Sequence, residues 1–349
     1  MSKKVTAIGL FSGGLDSILA CRIIADQGIS VRALKFVTPF FDHDLLADEQ
    51  AYQREIHEKY GLDVELVDLS EGYIDLLRNP AHGFGKNFNP CIDCKILMFS
   101  QARKIMENSG ASFLLTGEVL GQRPMSQRRD TLNVIERDSF CKKFLLRPLS
   151  AKLMNPTLAE EQGLIDRERL YAFAGRSRKP QIQLAREMGI TEFPAPAGGC
   201  VLTDPNLASR IERFYAGLFS IGQEQFQVND IKLLLVGRQF RLPGGHWLVL
   251  GRNEQENERL EMLKNDDDWL FFMPKRPGPT ALLRRATDRL QDAPEETEIL
   301  RLVAGLVVRY GRKNKGKILP GEVQVERDGC IDILQAKPLG ETEFIRWLC

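Results

Sequence analysis

The sequence predicts an α/β domain built on a parallel sheet, followed by a smaller α+β domain, and three observations carry that reading. Strand-length apolar runs alternate with helix-length amphipathic stretches up to about residue 190, an order that gives right-handed crossovers and a sheet covered on both faces. A segment dense in proline and glycine, TEFPAPAGGCVLTDPN at 191–206, then interrupts the pattern. Beyond it, short strand pairs joined by turns take over. The expected domains are therefore 1–204 and 205–349, and a chain of 349 residues is long enough for two cores.

The elements follow in order. VTAIGLF (5–11) predicts a buried strand, and Leu15, Ile18, Leu19, Ile23 and Ile24 recur at helical spacing over 15–27. After the Gly28 stop comes a second strand, VRALKFV (31–37), then a polar helix ended by Gly61 and a third strand, DVELVDL (63–69). A helix over 95–109 and a strand over 111–118 (ASFLLTGE) continue the alternation. In the second domain IKLLLVGRQFRLPGGHWLVLGRN (231–253) predicts a hairpin about Pro243-Gly244-Gly245, followed by a helix, EQENERLEMLKN, and a strand, DWLFFMPK.

Bulk properties exclude several classes. No apolar run approaches the roughly 18 residues that cross a bilayer, so no membrane partner is expected. The N-terminus lacks the apolar core of a secretory signal, which predicts a cytoplasmic protein. Seven cysteines, an odd number, suit reduced thiols better than a disulfide framework. With a net charge of +1, any nucleic-acid contact must come from local basic clusters.

FSGGLDS (11–17) sits between the first strand and the first helix. A glycine turn there exposes backbone N–H groups where the helix dipole favours an anion. Gly13 and Gly14 permit close approach of phosphate, Ser12 and Ser17 add hydroxyls, and Asp16 is a candidate magnesium ligand. The same residues also suit a plain βα turn capped by Asp16 and Ser17. The segment fits neither Gly-x-Gly-x-x-Gly nor a Walker loop. It resembles the Ser-Gly-Gly-x-Asp-Ser signature of the PP-loop ATP pyrophosphatases, whose adenine nucleotide alpha hydrolase-like, Rossmann-like fold cleaves ATP between the α and β phosphates to adenylate a carbonyl oxygen. That resemblance implies adenine against the backbone near Lys35, Phe36 and Val37.

A second segment, LLTGEVLGQRPMSQ, carries Thr116, Gly117, Glu118, Leu120, Gly121, Gln122, Ser126 and Gln127. It resembles the Thr-Gly-Glu, Leu-Gly-Gln and Ser-Gln segment of tRNA 4-thiouridine synthetases, over residues 5 to about 203. The resemblance implies activation of a uridine carbonyl by ATP and replacement of its oxygen by sulfur. The THUMP and rhodanese domains of the longest members are not recognisable, so neither RNA choice nor sulfur delivery carries over from them.

NPCIDCK places Cys91 and Cys94 two residues apart just before the 95–109 helix, where a helix N-terminus favours thiolate. Cys200 follows Gly198 and Gly199. Such spacing suits a metal, a redox pair or a persulfide carrier. Cluster-dependent thiouridine synthetases hold a 4Fe-4S cluster on three such cysteines; alternatively Cys200 carries a persulfide that Cys91 or Cys94 resolves. Cys21, Cys141, Cys330 and Cys349 read as plain core or surface residues, and none of the four histidines receives a role.

RYGRKNKGK (309–317) combines five basic residues with Tyr310 as a stacking ring. The neighbouring segments over 207–330 resemble the RNA-binding module of the NFACT family, which implies an RNA face lined by Arg238, Arg241, Lys275, Arg276, Arg284 and Arg285. Arg176, Arg178 and Lys179 add charge near Cys200.

The resemblances imply an ATP-dependent tRNA sulfurtransferase making 4-thiouridine. The alternatives are a 2-thiouridine product, a PP-loop enzyme adenylating a small molecule, and a non-catalytic RNA-binding factor. Cys200, Cys91, Cys94 and Asp16 take the catalytic roles, and Ser12, Gly13, Gly14, Asp16, Ser17, Phe36, Gly117 and Gln122 bind the nucleotide. ATP and magnesium are the expected cofactors, with a 4Fe-4S cluster on one sulfur route. The expected partners are tRNA and a sulfur donor, either sulfide or a persulfide-carrying protein, and a homodimer is left open.

Overall fold

The computed structural model describes residues 5–195, 200–327 and 329–349. The chain forms two compact units, Met1–Asp204 and Pro205–Cys349. In the first, strands β1 (Thr6–Leu10), β2 (Ser30–Val37), β3 (Asp63–Asp68), β4 (Phe113–Thr116) and β5 (Leu145–Leu146) form a parallel sheet in the order β3-β2-β1-β4-β5. The helices are α1 (Leu15–Ala25), α2 (Glu49–Tyr60), α3 (Ser70–Leu76), α4 (Cys91–Ser109), α5 (Arg129–Asp138), α6 (Leu158–Glu161) and α7 (Lys179–Glu187).

Both sheet faces are covered, as the uninterrupted apolar strands require. Ala7 joins one core with Leu19 and Ile23 of α1 and Leu184 of α7. Its neighbour Ile8 points the other way, into a core with Phe99 and Met106 of α4 and Ile135 of α5.

Two elements depart from expectation. Helix α4 starts at Cys91 rather than residue 95, because Pro90 ends the extended chain and the Cys94 N–H closes the first turn on the Pro90 carbonyl at 2.8 Å. Strand β4 stops at Thr116, two residues early, where the chain leaves the sheet at Gly117.

The second unit contains α8 (Pro205–Tyr215), α9 (Val228–Leu234), β6 (Arg238–Arg241), β7 (Trp247–Leu250), α10 (Glu254–Leu263), β8 (Trp269–Phe272), β9 (Ala281–Arg284), α11 (Ala286–Leu290), α12 (Glu296–Tyr310), β10 (Gly321–Arg327), β11 (Cys330–Ala336) and α13 (Glu341–Phe344). Its sheet is antiparallel, in the order β11-β10-β8-β9-β7-β6, with Trp269, Phe271 and Leu283 packed on Leu302, Val303 and Leu306 of α12. The expected hairpin is shorter than 231–253. Its first apolar run is helix α9, because Asp230 bonds back to the Gln227 N–H at 2.9 Å in a capping box. The hairpin proper joins β6 and β7 through Pro243–Gly245.

Candidate active site

The strand order reverses between β1 and β4, and in open α/β sheets ligands bind outside the carboxyl ends of strands at that point. Both resembled segments leave the sheet there, one after Leu10 and the other after Thr116. Gly13 takes φ +82, a left-handed value that only glycine adopts freely. Gly14 is the extended N-cap of α1, so the first N–H groups of the helix point out of the turn without intrahelical acceptors. The Ser12 hydroxyl donates to the Ser17 hydroxyl at 3.2 Å, and Ser17 donates in turn to the Gly14 carbonyl at 2.8 Å. From β2, the buried Lys35 ammonium donates to the Ser12 carbonyl at 2.8 Å and pairs with Asp42. The Phe36 side chain packs in the core with Leu34 and Leu10.

Gln122 joins the two segments, donating from Nε2 to Asp16 Oδ2 at 2.7 Å. Its own carbonyl accepts from Gln181 Nε2 of α7 at 2.9 Å, which fixes the amide in that orientation. Asp16 Oδ1 is buried with no hydrogen-bond partner. Burial lifts the Asp16 carboxyl above its ordinary range, against the Gln122 bond and the nearby Arg178 and Arg123 charges. An orphaned, buried carboxylate oxygen fits a hard cation. Gly117 packs flat against this turn, since a Cβ there would stand 2.5 Å from the Asp16 carbonyl oxygen and the Ser17 nitrogen.

Glu118 plays another part. It is buried between Lys95 of α4 and Arg147, with Arg147 Nε 3.1 Å from Oε2. Burial opposes its charge, the two cations outweigh burial, and its carboxyl lies below the ordinary range. The pair clamps the α4 N-terminus to the end of β4. The rest of the segment is held by Leu120 N–H on the Ser150 hydroxyl at 3.0 Å, by Gly121 N–H on the Gln127 carbonyl at 2.7 Å, and by burial of Ser126 and Gln127.

Cys91 and Cys94 occupy the first turn of α4 itself, not a loop before it. Asn89 Nδ2 donates to Cys91 Sγ at 3.2 Å, and Asn87 Nδ2 reaches the Thr203 carbonyl at 2.8 Å, tying this turn to the one that follows Cys200. Cys91 and Cys200 both act electrostatically on Cys94, and Cys94 hydrogen-bonds the buried Tyr73 hydroxyl. The thiolate expectation fails for Cys94, whose thiol is pushed up to about 12, chiefly by burial. Burial raises the Cys200 thiol as well; the loss of solvation exceeds what a helix N-terminus returns. Three thiols fit a three-ligand iron–sulfur cluster in kind and number. Among the described residues no three His, Cys, Asp or Glu side chains are grouped tightly enough to hold a single metal ion, while Cys91 and Cys200 stand near enough to Cys94 to act on it electrostatically. Gly198 and Gly199 lie outside the described residues.

The basic residues of the second unit divide. Arg284 is fully buried, paired with Asp230 and Asp268 at 2.7 Å each, and cannot line a surface. Its neighbour Arg285 is mostly buried and also bonds Asp230, at 3.1 Å. Arg276 is tied to the Leu319 carbonyl at 3.0 Å and Lys275 to Glu322 at 2.7 Å. Tyr310 is not open for stacking: its ring packs against Phe344, and the Arg238 guanidinium covers it at 4.8 Å. The six residues 312–317 are exposed, as are Arg241, Arg176 and Lys179.

Residues 2–153 match the family model of the thiamine biosynthesis protein ThiI, and residues 237–348 match that of the NFACT protein RNA binding domain. The chain carries a ThiI domain and an NFACT-type domain. Among solved structures it is similar to a 4-thiouridine synthetase in an RNA complex with bound ATP, at 22% identity and TM-score 0.39, over 61% of this chain and 51% of that one. It is also similar to the U34-tRNA thiolase NcsA from Methanococcus maripaludis with its 4Fe-4S cluster, at 16% identity and TM-score 0.34, over 62% and 69%. A third likeness is to the C-terminal part of the fibronectin/fibrinogen-binding protein of Streptococcus suis, at 13% identity and TM-score 0.26, over 55% and 84%. The chain spans about half the length of the 4-thiouridine synthetase. No curated protein sequence matches it significantly.

The NFACT-type match runs over 237–348, later at both ends than the 207–330 expected. Within the first unit, which holds the ThiI domain, Ser12, Gly13, Gly14, Asp16, Ser17, Gly117 and Gln122 converge at one sheet edge. Reading the sequence alone missed Gln181, Tyr73, Lys95 and Arg147: Lys95 follows Cys94 directly on α4, and the others come from α7, α3 and the residue after β5. Among the described residues no helix is long and apolar enough to cross a membrane.

Proposed function

We propose that the chain is an ATP-dependent tRNA sulfurtransferase, with 4-thiouridine as product. The observation that carries the reading is the Gln122–Asp16 hydrogen bond of 2.7 Å, which makes the two resembled segments one crevice. The NFACT-type match in the same chain supports RNA as the partner.

The ATP phosphates lie against the N–H groups of the Gly13–Gly14 turn. Magnesium, when bound, neutralises phosphate charge and is held by Asp16 Oδ1, while Gln122 keeps the other oxygen occupied. The uridine carbonyl oxygen attacks the α-phosphorus, an O–P bond forms, and pyrophosphate leaves. A sulfur nucleophile then adds to the activated carbon, and the C–O bond breaks with release of AMP. Through Cys200, its persulfide supplies the terminal sulfur, and a thiol of Cys91 or Cys94 attacks Cys200 Sγ. That releases the thiocarbonyl and leaves a disulfide, which a dithiol reductant reopens.

The test is anaerobic incubation of the purified chain with unmodified tRNA, ATP and sulfide or a persulfide donor, followed by nucleoside analysis and assays of iron and acid-labile sulfide. ATP-dependent 4-thiouridine supports the proposal. A 2-thiouridine product overturns the assignment of the position. AMP release driven by a small molecule, with no thiolated tRNA, overturns the RNA substrate, and absence of ATP–pyrophosphate exchange overturns the enzyme reading. Stoichiometric iron and sulfide would overturn the persulfide route.

A further inference from the structure

A cavity of about 190 Å³ in the C-terminal unit collects three arginines, Arg213, Arg241 and Arg346, beside Trp347. Separate elements deliver them. Arg213 stands in the last turn of α8 and Arg241 at the end of β6. Arg346 arrives because the chain after α13 runs back along the β6 edge: Leu348 bridges Phe240, and the Cys349 N–H donates to the Gln239 carbonyl at 2.9 Å. The Arg241 Nε is anchored on the Leu218 carbonyl at 2.7 Å, which leaves its terminal nitrogens for a ligand. The Arg346 guanidinium lies 5.2 Å from the Trp347 ring centre.

All three arginines are exposed, and among the described residues none has a carboxylate at ion-pair distance. Elsewhere on this unit Arg252 faces Glu256, Arg301 faces Glu298 and Glu343, Arg309 faces Glu341, and Arg327 faces Glu296 and Asp332. No acidic side chain lines the cavity. Three converging guanidinium groups with no carboxylate at ion-pair distance form an anion site, and guanidinium forks match phosphate oxygens two at a time. The volume falls below the roughly 300–1,000 Å³ that drug-sized ligands occupy, so it suits one phosphate group and not a whole nucleotide.

We propose that this cavity binds a backbone phosphate of the RNA substrate and anchors it to the NFACT-type domain. The inference rests on RNA being the partner. The test is anisotropy of labelled tRNA with the full chain over a range of salt. The expected result for Arg213→Ala/Arg346→Ala is a loss of about ten-fold in affinity, with the slope of log K against log salt flatter by about 0.7–0.9 for each phosphate no longer neutralised. Arg213→Lys/Arg346→Lys should keep the slope. Matching melting curves confirm that the variants fold.

If the wild type binds tRNA and the alanine variant binds with the same affinity and slope, the cavity proposal falls while the RNA reading stands. Affinity lost at an unchanged slope also overturns it, as a purely structural effect. If the wild type binds no tRNA, both fall. Inorganic phosphate held tightly by the cavity without displacing tRNA would identify free phosphate as the ligand. An acidic peptide that displaces tRNA from the wild type alone would identify a protein partner. Either result overturns the proposal.

Discussion

Gly117→Ala is the sharpest perturbation of the crevice. The added Cβ would stand 2.5 Å from the Asp16 carbonyl oxygen and the Ser17 nitrogen, and ordinary contact begins near 3.4 Å, so the two backbones must separate by about 0.9 Å. Neither neighbour is a flexible side-chain end that can swing aside. Overpacking of this kind costs about 1–3 kcal/mol. At roughly 2–4 °C per kcal/mol for a unit of this size, melting falls by about 2–12 °C. The catalytic cost is greater, because a misplacement near 1 Å costs on the order of 100-fold. The control is Gly72→Ala, where the nearest atom is Leu97 Cδ1 at an ordinary 3.6 Å; a helical alanine there should gain about 0.5–1 kcal/mol. The assay is ATP–pyrophosphate exchange alongside thermal melts of both variants. Exchange within two-fold of wild type and an unchanged melt for Gly117→Ala would refute the packing of the two segments.

Asp16→Asn should preserve the fold, and even raise stability slightly, because it removes a buried charge whose pKa is already lifted by desolvation; a magnesium titration of pyrophosphate exchange should show activity lost at every concentration. Glu118 is a carboxylate with a depressed pKa, so its stabilisation is present above the ordinary value of 4.5 and is lost as pH falls through the lower folded value. Glu118→Gln should flatten that acid limb in denaturant melts and cost up to about 3–5 kcal/mol at neutral pH, Glu136 still holding one arm of Arg147. Arg284→Met leaves Asp268 buried without its cation and Asp230 with Arg285 alone, and should destabilise the C-terminal unit by up to about 3–5 kcal/mol. A folded Arg284→Met protein with weakened RNA binding would restore Arg284 to the surface.

The first unit was legible because its signals are local. Apolar runs set the strands, Gly28 and Gly61 stop helices, and FSGGLDS states its place between a strand and a helix. The site was legible where a motif coincided with a strand end, as at Gly14 and Gly117. It was not legible where distant elements meet: nothing in the spacing brings Gln181 to Gln122, or Lys95 to Glu118. The thiols show the same limit, since their position in a helix turn is local but the burial that raises Cys94 comes from packing around Tyr73. In the second unit, the resemblance to the NFACT module misplaced Arg284 on the surface, because the Asp230 and Asp268 that hold it buried lie 54 and 16 residues away. The run IKLLL suits strand and helix alike, and the Gln227–Asp230 box decided for the helix.

The most direct test of the central claim compares wild type and Cys200→Ala, purified without oxygen and given unmodified tRNA, ATP and a sulfur donor. We expect ATP-dependent 4-thiouridine from the wild type, and from Cys200→Ala pyrophosphate exchange at the wild-type rate with no thiolated nucleoside. Full thiolation by Cys200→Ala, or a wild type that turns over ATP without ever thiolating tRNA, would contradict the account.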